Sequence, residues 1–298
     1  MRRVKGLATG NPPPQKRFVT NEDFYSFGAI LRYKQPEWRI PPAEGEPREQ
    51  YDSVVSTNMD VLSICNSGKY KCTVDFGFDR AAPDEEQSTF FVEPGVLMLE
   101  EGETKDIKIW AFPKEAQEYS ATLVACVSNN PQPVSYRLCC WGVESTIALT
   151  GSWEEGLLKF QAEIEEKRAE PKPDAKLIKE MELKLEKLHE VLTIDFDRIL
   201  IGRTEMRVFT LKNTSLLPVA WEIDPGDFAE SPNVTISPLY GVAGPHASVN
   251  ISVSFFSAEP RVCTGIFSLK YSDNEGGLVD NRVKTYKLGV EAEAYDIR

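Results

Sequence analysis

The residues that could do chemistry in this chain are two histidines, six cysteines and a surplus of carboxylates. His189 lies in a helical stretch and His246 follows Pro245 in a turn. Imidazole is therefore too scarce for a histidine-rich metal site or for a nucleophile, base and orienter joined in one triad. Zinc favours a C-x-x-C spacing, but Cys139 and Cys140 are adjacent and Cys65 and Cys72 bracket the turn NSGKYK. A GxxxxGK[ST] phosphate loop does not occur; GRTE at Gly202 and GKY at Gly68 read as turns. The acids sit in no motif with a complementary base and read as surface. The expectation is a chain that is not an enzyme and takes no cofactor and no metal.

The elements that would position any site come from an internal repeat. VLSICNSGKYKCTVDFGF at Val61 and VFTLKNTSLLPVAWEIDP at Val208 each give a strand, a turn at Asn66 or Asn213, and a second strand. Downstream, Pro94 aligns with Pro238, and a small gap then brings Gly102 to Gly244 and Phe112 to Phe255. Tyr119 falls on Cys263 and Tyr136 on Tyr286. YSFGAIL matches IDFDRIL in apolar pattern, setting Phe27 against Phe196. Ile107, Ile109 and Ala111, like Val249, Ile251, Val253 and Phe255, alternate with polar residues, the mark of a strand with one buried face. Short strands separated by turns such as SNNPQP and SDNEGG predict a mainly β chain of two immunoglobulin-like antiparallel sandwiches joined by a short helical hairpin arm. The layout is a basic flexible tail at 1–20, a first sandwich at 21–146, a charged helical arm at 147–191 and a second sandwich at 192–298. The first sandwich carries an insertion at about 32–58, read from its prolines as an exposed loop.

Duplication also bears on the cysteines. Cys65 and Cys126 tempt one towards an inter-sheet disulfide, but the matching positions in the second copy are Lys212 and Lys270, which a sandwich cannot both place in its core. Free thiols are expected, with Leu62, Ile64, Phe209 and Leu211 facing inward. The net charge of −12 sets a repelling field against phosphates, so nucleic acid is not an expected partner. Arg2, Arg3, Lys5, Lys16 and Arg17 precede the first acid, Glu22, and could meet an acidic polymer such as a tubulin tail. No run reaches the roughly 18 apolar residues of a membrane span, and the opening MRRVKGLATGNPPP has no apolar core for secretion, so a cytoplasmic chain without a membrane partner is expected. The sequons at Asn213, Asn233 and Asn250 then carry no weight; Asn213 and Asn66 read as strand-ending residues whose side chains satisfy turn backbone.

From Ser152 the hydrophobic period becomes helical. SWEE forms a capping box with Glu155, and Leu157, Phe160 and Ile164 follow on one face. Pro171 and Pro173 interrupt, and Asp174 caps a second helix with Ile178, Met181, Leu185, Leu188 and Leu192 in a stripe. The stripe is too short for a coiled coil. Either the helices fold on each other or on a sandwich, or Ile178, Met181, Leu185 and Leu188 face a partner.

The run FDRILIGRTEMRVFTLKNTSLLPVAWEI, from Phe196 to Ile223, resembles the opening of ASH-type domains, the class of the hydin family, itself similar to the major sperm protein sandwich. The likeness rests on Phe196, Ile201 and Gly202, on LKN ending at Asn213, and on LLPVAW with Pro218 and Trp221. Phe27, Asn66 and Pro94 mark the same pattern in the first copy, and Pro238 completes it in the second. The first copy departs from it in the insertion and in lacking equivalents of Pro218 and Trp221. The resemblance implies a non-catalytic scaffold segment of the axonemal central apparatus of motile cilia or flagella, a cytoskeletal place beside other central-apparatus proteins and tubulin. The alternative is a cytosolic adaptor that, like major sperm protein domains, binds short acidic peptide motifs; that activity wants a basic face, against the charge balance here.

Overall fold

The computed structural model describes residues 3–5, 16–18, 24–79, 89–128, 130–170, 174–275 and 282–297. The chain divides into two units, Met1–Glu144 and Ser145–Arg298.

The first unit contains β1 (Arg3–Lys5), β2 (Lys16–Phe18), β3 (Phe24–Leu31), α1 (Glu49–Thr57), β4 (Met59–Cys65), β5 (Cys72–Phe78), β6 (Phe90–Glu93), β7 (Val96–Leu99), β8 (Thr104–Ala111), β9 (Glu118–Val127) and β10 (Val134–Val143). Its sheets run β2-β1-β4-β8-β6 and β3-β10-β9-β5-β7. The second unit contains β11 (Ile147–Thr150), α2 (Trp153–Ala169), α3 (Ala175–Glu190), β12 (Val191–Leu200), β13 (Thr204–Asn213), β14 (Val219–Asp224), β15 (Val234–Ser237), β16 (Tyr240–Ala243), β17 (Ser248–Phe256), β18 (Arg261–Asp273) and β19 (Lys284–Tyr295). Its sheets run β11-β13-β17-β15 and β12-β19-β18-β14-β16. The two orders are the same, strand for strand, except for the extra hairpin strand β2. Each unit is an immunoglobulin-like sandwich whose strands pair antiparallel apart from β3 with β10 and β12 with β19.

The alternation explains the layers. Ile107 and Ile109 on β8, and Ile251, Val253 and Phe255 on β17, are fully buried, while Asp106 before the first pair and Lys108 between them are exposed. Each sandwich has its own apolar cluster, one around Phe27, Leu62, Ile107 and Leu138, the other around Phe196, Phe209, Trp221 and Phe267.

Strand register corrects parts of the repeat alignment. Leu62 stands opposite Ile107 and Phe209 opposite Ile251, so Ala111, not Phe112, occupies the position of Phe255. The run from Pro94 and Pro238 needs no gap, and Gly102 matches His246 instead of Gly244. Both have left-handed backbone, with φ of 67° and 56°. The turn demands that conformation, which glycine adopts freely and histidine adopts here at some cost. Tyr136 matches Leu288, because Cys140 pairs with Tyr119 while Ala292 pairs with Cys263. A two-residue slip preserves the buried face and was invisible to alternation alone.

Three domain assignments also change. The insertion is not simply an exposed loop: after a short 3-10 turn it forms α1, whose Val54 is fully buried against Trp110 and Phe112. Asn58 ends that helix and donates from Nδ2 to the Ala111 carbonyl at 2.8 Å, while Arg39 bonds Glu93 at 2.9 Å over the Phe91 ring. The arm does not begin at 147, because Ile147–Thr150 is a strand whose residues lie opposite Asn213 to Thr210 of β13. Four residues of alternating apolar side chains find an open sheet edge sooner than a helical partner. In the tail, β1 and β2 pair Arg3 with Phe18 and set Arg3 opposite Ser63. The rest of 1–20, the prolines Pro171 and Pro173, and parts of the SNNPQP and SDNEGG turns lie outside the described residues.

Trp221 explains a difference between the copies. It is buried on β14 opposite Gly241 of β16, where an added Cβ would come within 2.9 Å of the indole. In the first sandwich Val74 and Leu97 stand opposite each other at the matching positions, both buried. The core volume given to one tryptophan and a glycine is filled there by two aliphatic side chains from adjacent strands. Trp221→Ala should destabilise the second sandwich by about 3–5 kcal/mol and leave the first largely intact, measured by thermal or urea unfolding. Gly241→Leu alone should also be destabilising, whereas Trp221→Val with Gly241→Leu should recover most of the lost stability. Additive losses in the double variant would contradict this pairing.

Candidate functional site

In each sandwich one buried asparagine organises the turn end of the fold. Asn213 Nδ2 lies 2.8 Å from the Leu217 carbonyl, 3.0 Å from that of Ala243 and 2.9 Å from that of Gly244. Its Oδ1 accepts from the Ser215 amide at 2.8 Å and from the Ser215 hydroxyl at 2.7 Å. Asn66 repeats the arrangement with the carbonyls of Tyr70, Leu99 and Glu100, and accepts from the Gly68 amide. One side chain thereby ties the loop after its own strand to the end of a strand in the opposite sheet. Asn213 is fully buried, so its sequon could be glycosylated only by losing this network.

The other motif residues are dispersed through the framework and form no common site. Phe27 packs with Tyr25 and Phe90, and Phe196 with Phe255, each within its own core. Gly202 takes φ of 73° in the β12–β13 turn and donates to the Ser257 carbonyl at 2.8 Å. Pro94 and Pro238 are exposed between consecutive edge strands, and Pro218 is half-buried just before β14. Tyr25 donates its hydroxyl to the Asp60 carboxylate in the first core. Burial first, and then the Asp60 charge, push this phenol far above its ordinary range, so it remains a donor.

The helices of the second unit pack on each other. Ile164 is buried, and Leu157, Phe160, Ile178, Met181, Leu185 and Leu188 are half-buried. Arg168 pairs with Glu182, and the Lys184 ammonium lies 5.3 Å from the Phe160 ring centre. Asp174 caps α3 by accepting from the amides of Lys176 and Leu177, but Ser152 makes no capping bond. Trp153, buried, sets its indole 5.8 Å from the Phe209 ring and so anchors the hairpin to the second core. A groove of about 640 Å³ runs beside that anchor, lined by Leu157, Phe160, Leu188, Thr193, Asp195 and Arg207 among others.

Edge strands contribute a surface that sequence reasoning missed. β7 and β16 each end a sheet, and each exposes two apolar side chains at matching positions: Val96 at 54% and Met98 at 55%, Tyr240 at 77% and Val242 at 55%. Outward positions on a strand normally read as polar, so the signal was a break of alternation shared by both copies. Among the described residues, no group of three or more His, Cys, Asp or Glu could hold a metal, and no helix is long and apolar enough to cross a membrane. All six cysteines are free thiols.

The architecture defines a tandem of immunoglobulin-like sandwiches with a helical hairpin set into the second. No family model matches the chain. It is 27% identical over 283 residues, 95% of its length, to the human hydrocephalus-inducing protein homolog, and 24% identical over the same share to the mouse hydrocephalus-inducing protein. The chain spans 4% of the length of these curated relatives. The likeness to hydin thus runs through both sandwiches and the arm. Among solved structures, the ASH/PapD-like domain 7 of human CEP192 is similar at 15% identity and a TM-score of 0.31, covering 36% of this chain and 84% of that one. The Caenorhabditis elegans MSP-domain-like protein SSP-19 is similar at 12% identity and a TM-score of 0.26, covering 35% of this chain and 94% of that one.

Two outcomes follow from these geometries. Asn213→Ala should cost at least about 1–3 kcal/mol, the penalty for leaving buried carbonyls without a donor, and should be read in the unfolding transition of the second sandwich. With a thiol reagent near neutral pH, the exposed Cys65 and Cys126 should react first. Cys140 should stay silent until unfolding, since burial, more than the neighbouring Cys139, raises its thiol pKa.

Proposed function

We propose that this chain is a non-catalytic scaffold segment of the ciliary central apparatus, supporting motility through protein contacts along the axoneme. The observation that carries this reading is the similarity to two hydrocephalus-inducing proteins over 95% of the chain, which includes both sandwiches and the arm between them. Two cored sandwiches with exposed edges suit a structural role, because sheet edges and loops can take up segments of neighbouring proteins without any catalytic cleft.

The partners in this reading are other central-apparatus proteins, with tubulin as a further contact through the basic N-terminal segment. Arg2, Arg3, Lys5, Lys16 and Arg17 supply a local positive charge on an otherwise acidic chain, which suits an acidic polymer at short range. The tagged chain, expressed in multiciliated cells, is expected along the axoneme with the central microtubule pair. A diffuse cytosolic signal would count against the assignment. Replacing the five basic residues by glutamine should weaken microtubule co-sedimentation in low salt, and unchanged sedimentation would remove tubulin from the partner list.

A further inference from the structure

The second sandwich has charged residues in a bulge that the first builds from neutral ones. β12 and β19 run parallel with Asp195 directly opposite Glu291, and a register shift before Arg198 leaves Phe196 and Asp197 in the bulge. In the first sandwich the same shift lies between Cys139 and Trp141 of β10, so Ser26, Gly28 and Cys139 hold the positions of Asp195, Asp197 and Glu291. Gly28 and Asp197 both take left-handed backbone, with φ of 74° and 54°. The Gly28 amide donates to Ser26 Oγ at 3.1 Å, as the Asp197 amide donates to Asp195 Oδ1 at 2.7 Å. A hydroxyl and a glycine thus suffice for the bulge, and glycine takes the left-handed position at less cost. The strand pairing does not call for three carboxylates, and like charges directly opposite each other weaken it. All three are exposed, and among the described residues no cation pairs with them; Arg198 pairs with Glu293 and Arg207 with Glu205.

These carboxylates line the groove of about 640 Å³ beside the Trp153 anchor. The helical hairpin gives that groove the apolar side chains of Leu157, Phe160 and Leu188, all half-buried, while β12 and β19 give it the acids. Its two cations are already engaged: Arg207 lies 3.6 Å from Glu205, and Lys184 stands over the Phe160 ring. The free charge is therefore negative. Gly156 of α2 lines the groove too, and an added Cβ there meets nothing within 4 Å. Glycine weakens a helix relative to alanine and no neighbouring atom requires it here, so its missing side chain is room in the groove. An occupant that suits this lining brings positive charge and apolar surface together. Each stretch of the chain outside the described residues holds at most one Lys or Arg, and Arg3, Lys5, Lys16 and Arg17 lie in the paired strands β1 and β2 of the first unit. A cationic occupant therefore comes from another molecule.

We propose that this groove docks a basic amphipathic segment of another protein, its apolar side chains against Leu157, Phe160 and Leu188 and its Lys or Arg side chains paired with Asp195, Asp197 and Glu291. Laying an apolar face into a groove is a recurring mode of peptide recognition, and charges at the rim add specificity and speed of association. Pairing with a cation also removes the repulsion between Asp195 and Glu291, which the free chain retains. The first sandwich, with Ser26, Gly28 and Cys139 at these positions, offers a basic segment no such partners. In taking a protein as the partner this rests on the scaffold reading, but groove binding in solution and ciliary localisation can fail separately.

The test uses the full chain and the fluorescent peptide LKKLLKKLLKKL, with LEELLEELLEEL and SKKSSKKSSKKS as counterparts that reverse the charge or lack the apolar face. Saturable binding of the first alone is expected, weakening as salt is added, with slowed amide exchange confined to residues 153–160 and 184–197. Gly156→Leu should fill the groove and weaken binding about tenfold. Asp195→Asn with Glu291→Gln keeps the oxygen that the Asp197 amide needs and should also weaken binding about tenfold, with the unfolding temperature unchanged or raised. A lowered unfolding temperature in that double variant would show the carboxylates serving the fold and overturn the proposal. Absent binding, equal binding of either counterpart peptide, or an affinity that neither variant changes would overturn it as well. Slowed exchange at these residues that grows with chain concentration and needs no peptide would place a second copy in the groove, with the same consequence.

Discussion

A two-layer sandwich holds together only if the seam between its sheets is closed, because the apolar side chains facing inward are in water wherever a strand is missing. Much of this chain can be understood as ways of closing seams. In the second sandwich β11 seals one side, Trp153 anchors a helical hairpin beside it, and Trp221 fills the interior against Gly241. In the first, α1 and the Trp110 and Phe112 pair close one end of β8. The same polar device stands in both: a buried asparagine that donates to carbonyls of two separate turns.

Alternation made the strands and the duplication legible, because the period of two is a direct consequence of pleating and each copy repeats it with the same spacing. Asn66 and Asn213 were legible for the same reason, as polar residues at the end of an apolar run. What alternation could not show was register. Aligning Gly102 with Gly244 assumed that like residues share a conformation, whereas His246 takes the left-handed turn and Gly244 does not. Trp221 had no counterpart in sequence because its volume is shared in the other copy between Val74 and Leu97, which lie on different strands.

Short elements were the least legible. Ile147–Thr150 has too few residues to declare itself a strand, and only the free edge of β13 makes it one. The insertion's prolines predict a loop, yet Val54 and Val55 beyond them supply the apolar side that lets α1 fold onto Trp110. The stripe at Ile178, Met181, Leu185 and Leu188 was legible as a helix face but not as to what covers it; those residues are half-buried in a hairpin whose other helix carries Ile164 and Phe160. The distinctive residues of the chain build cores and edges, and among the described residues the metal-binding side chains stand apart.

The central physical claim is that there are two separate apolar cores, each made by its own pair of sheets. Native-state hydrogen exchange over a denaturant series measures this directly. Amides in β4, β8, β9 and β10 should form one slowly exchanging set and those in β13, β17, β18 and β19 another, each with its own opening free energy. A single set that opens in one step across both units, or exchange at loop rates in either group, would contradict it.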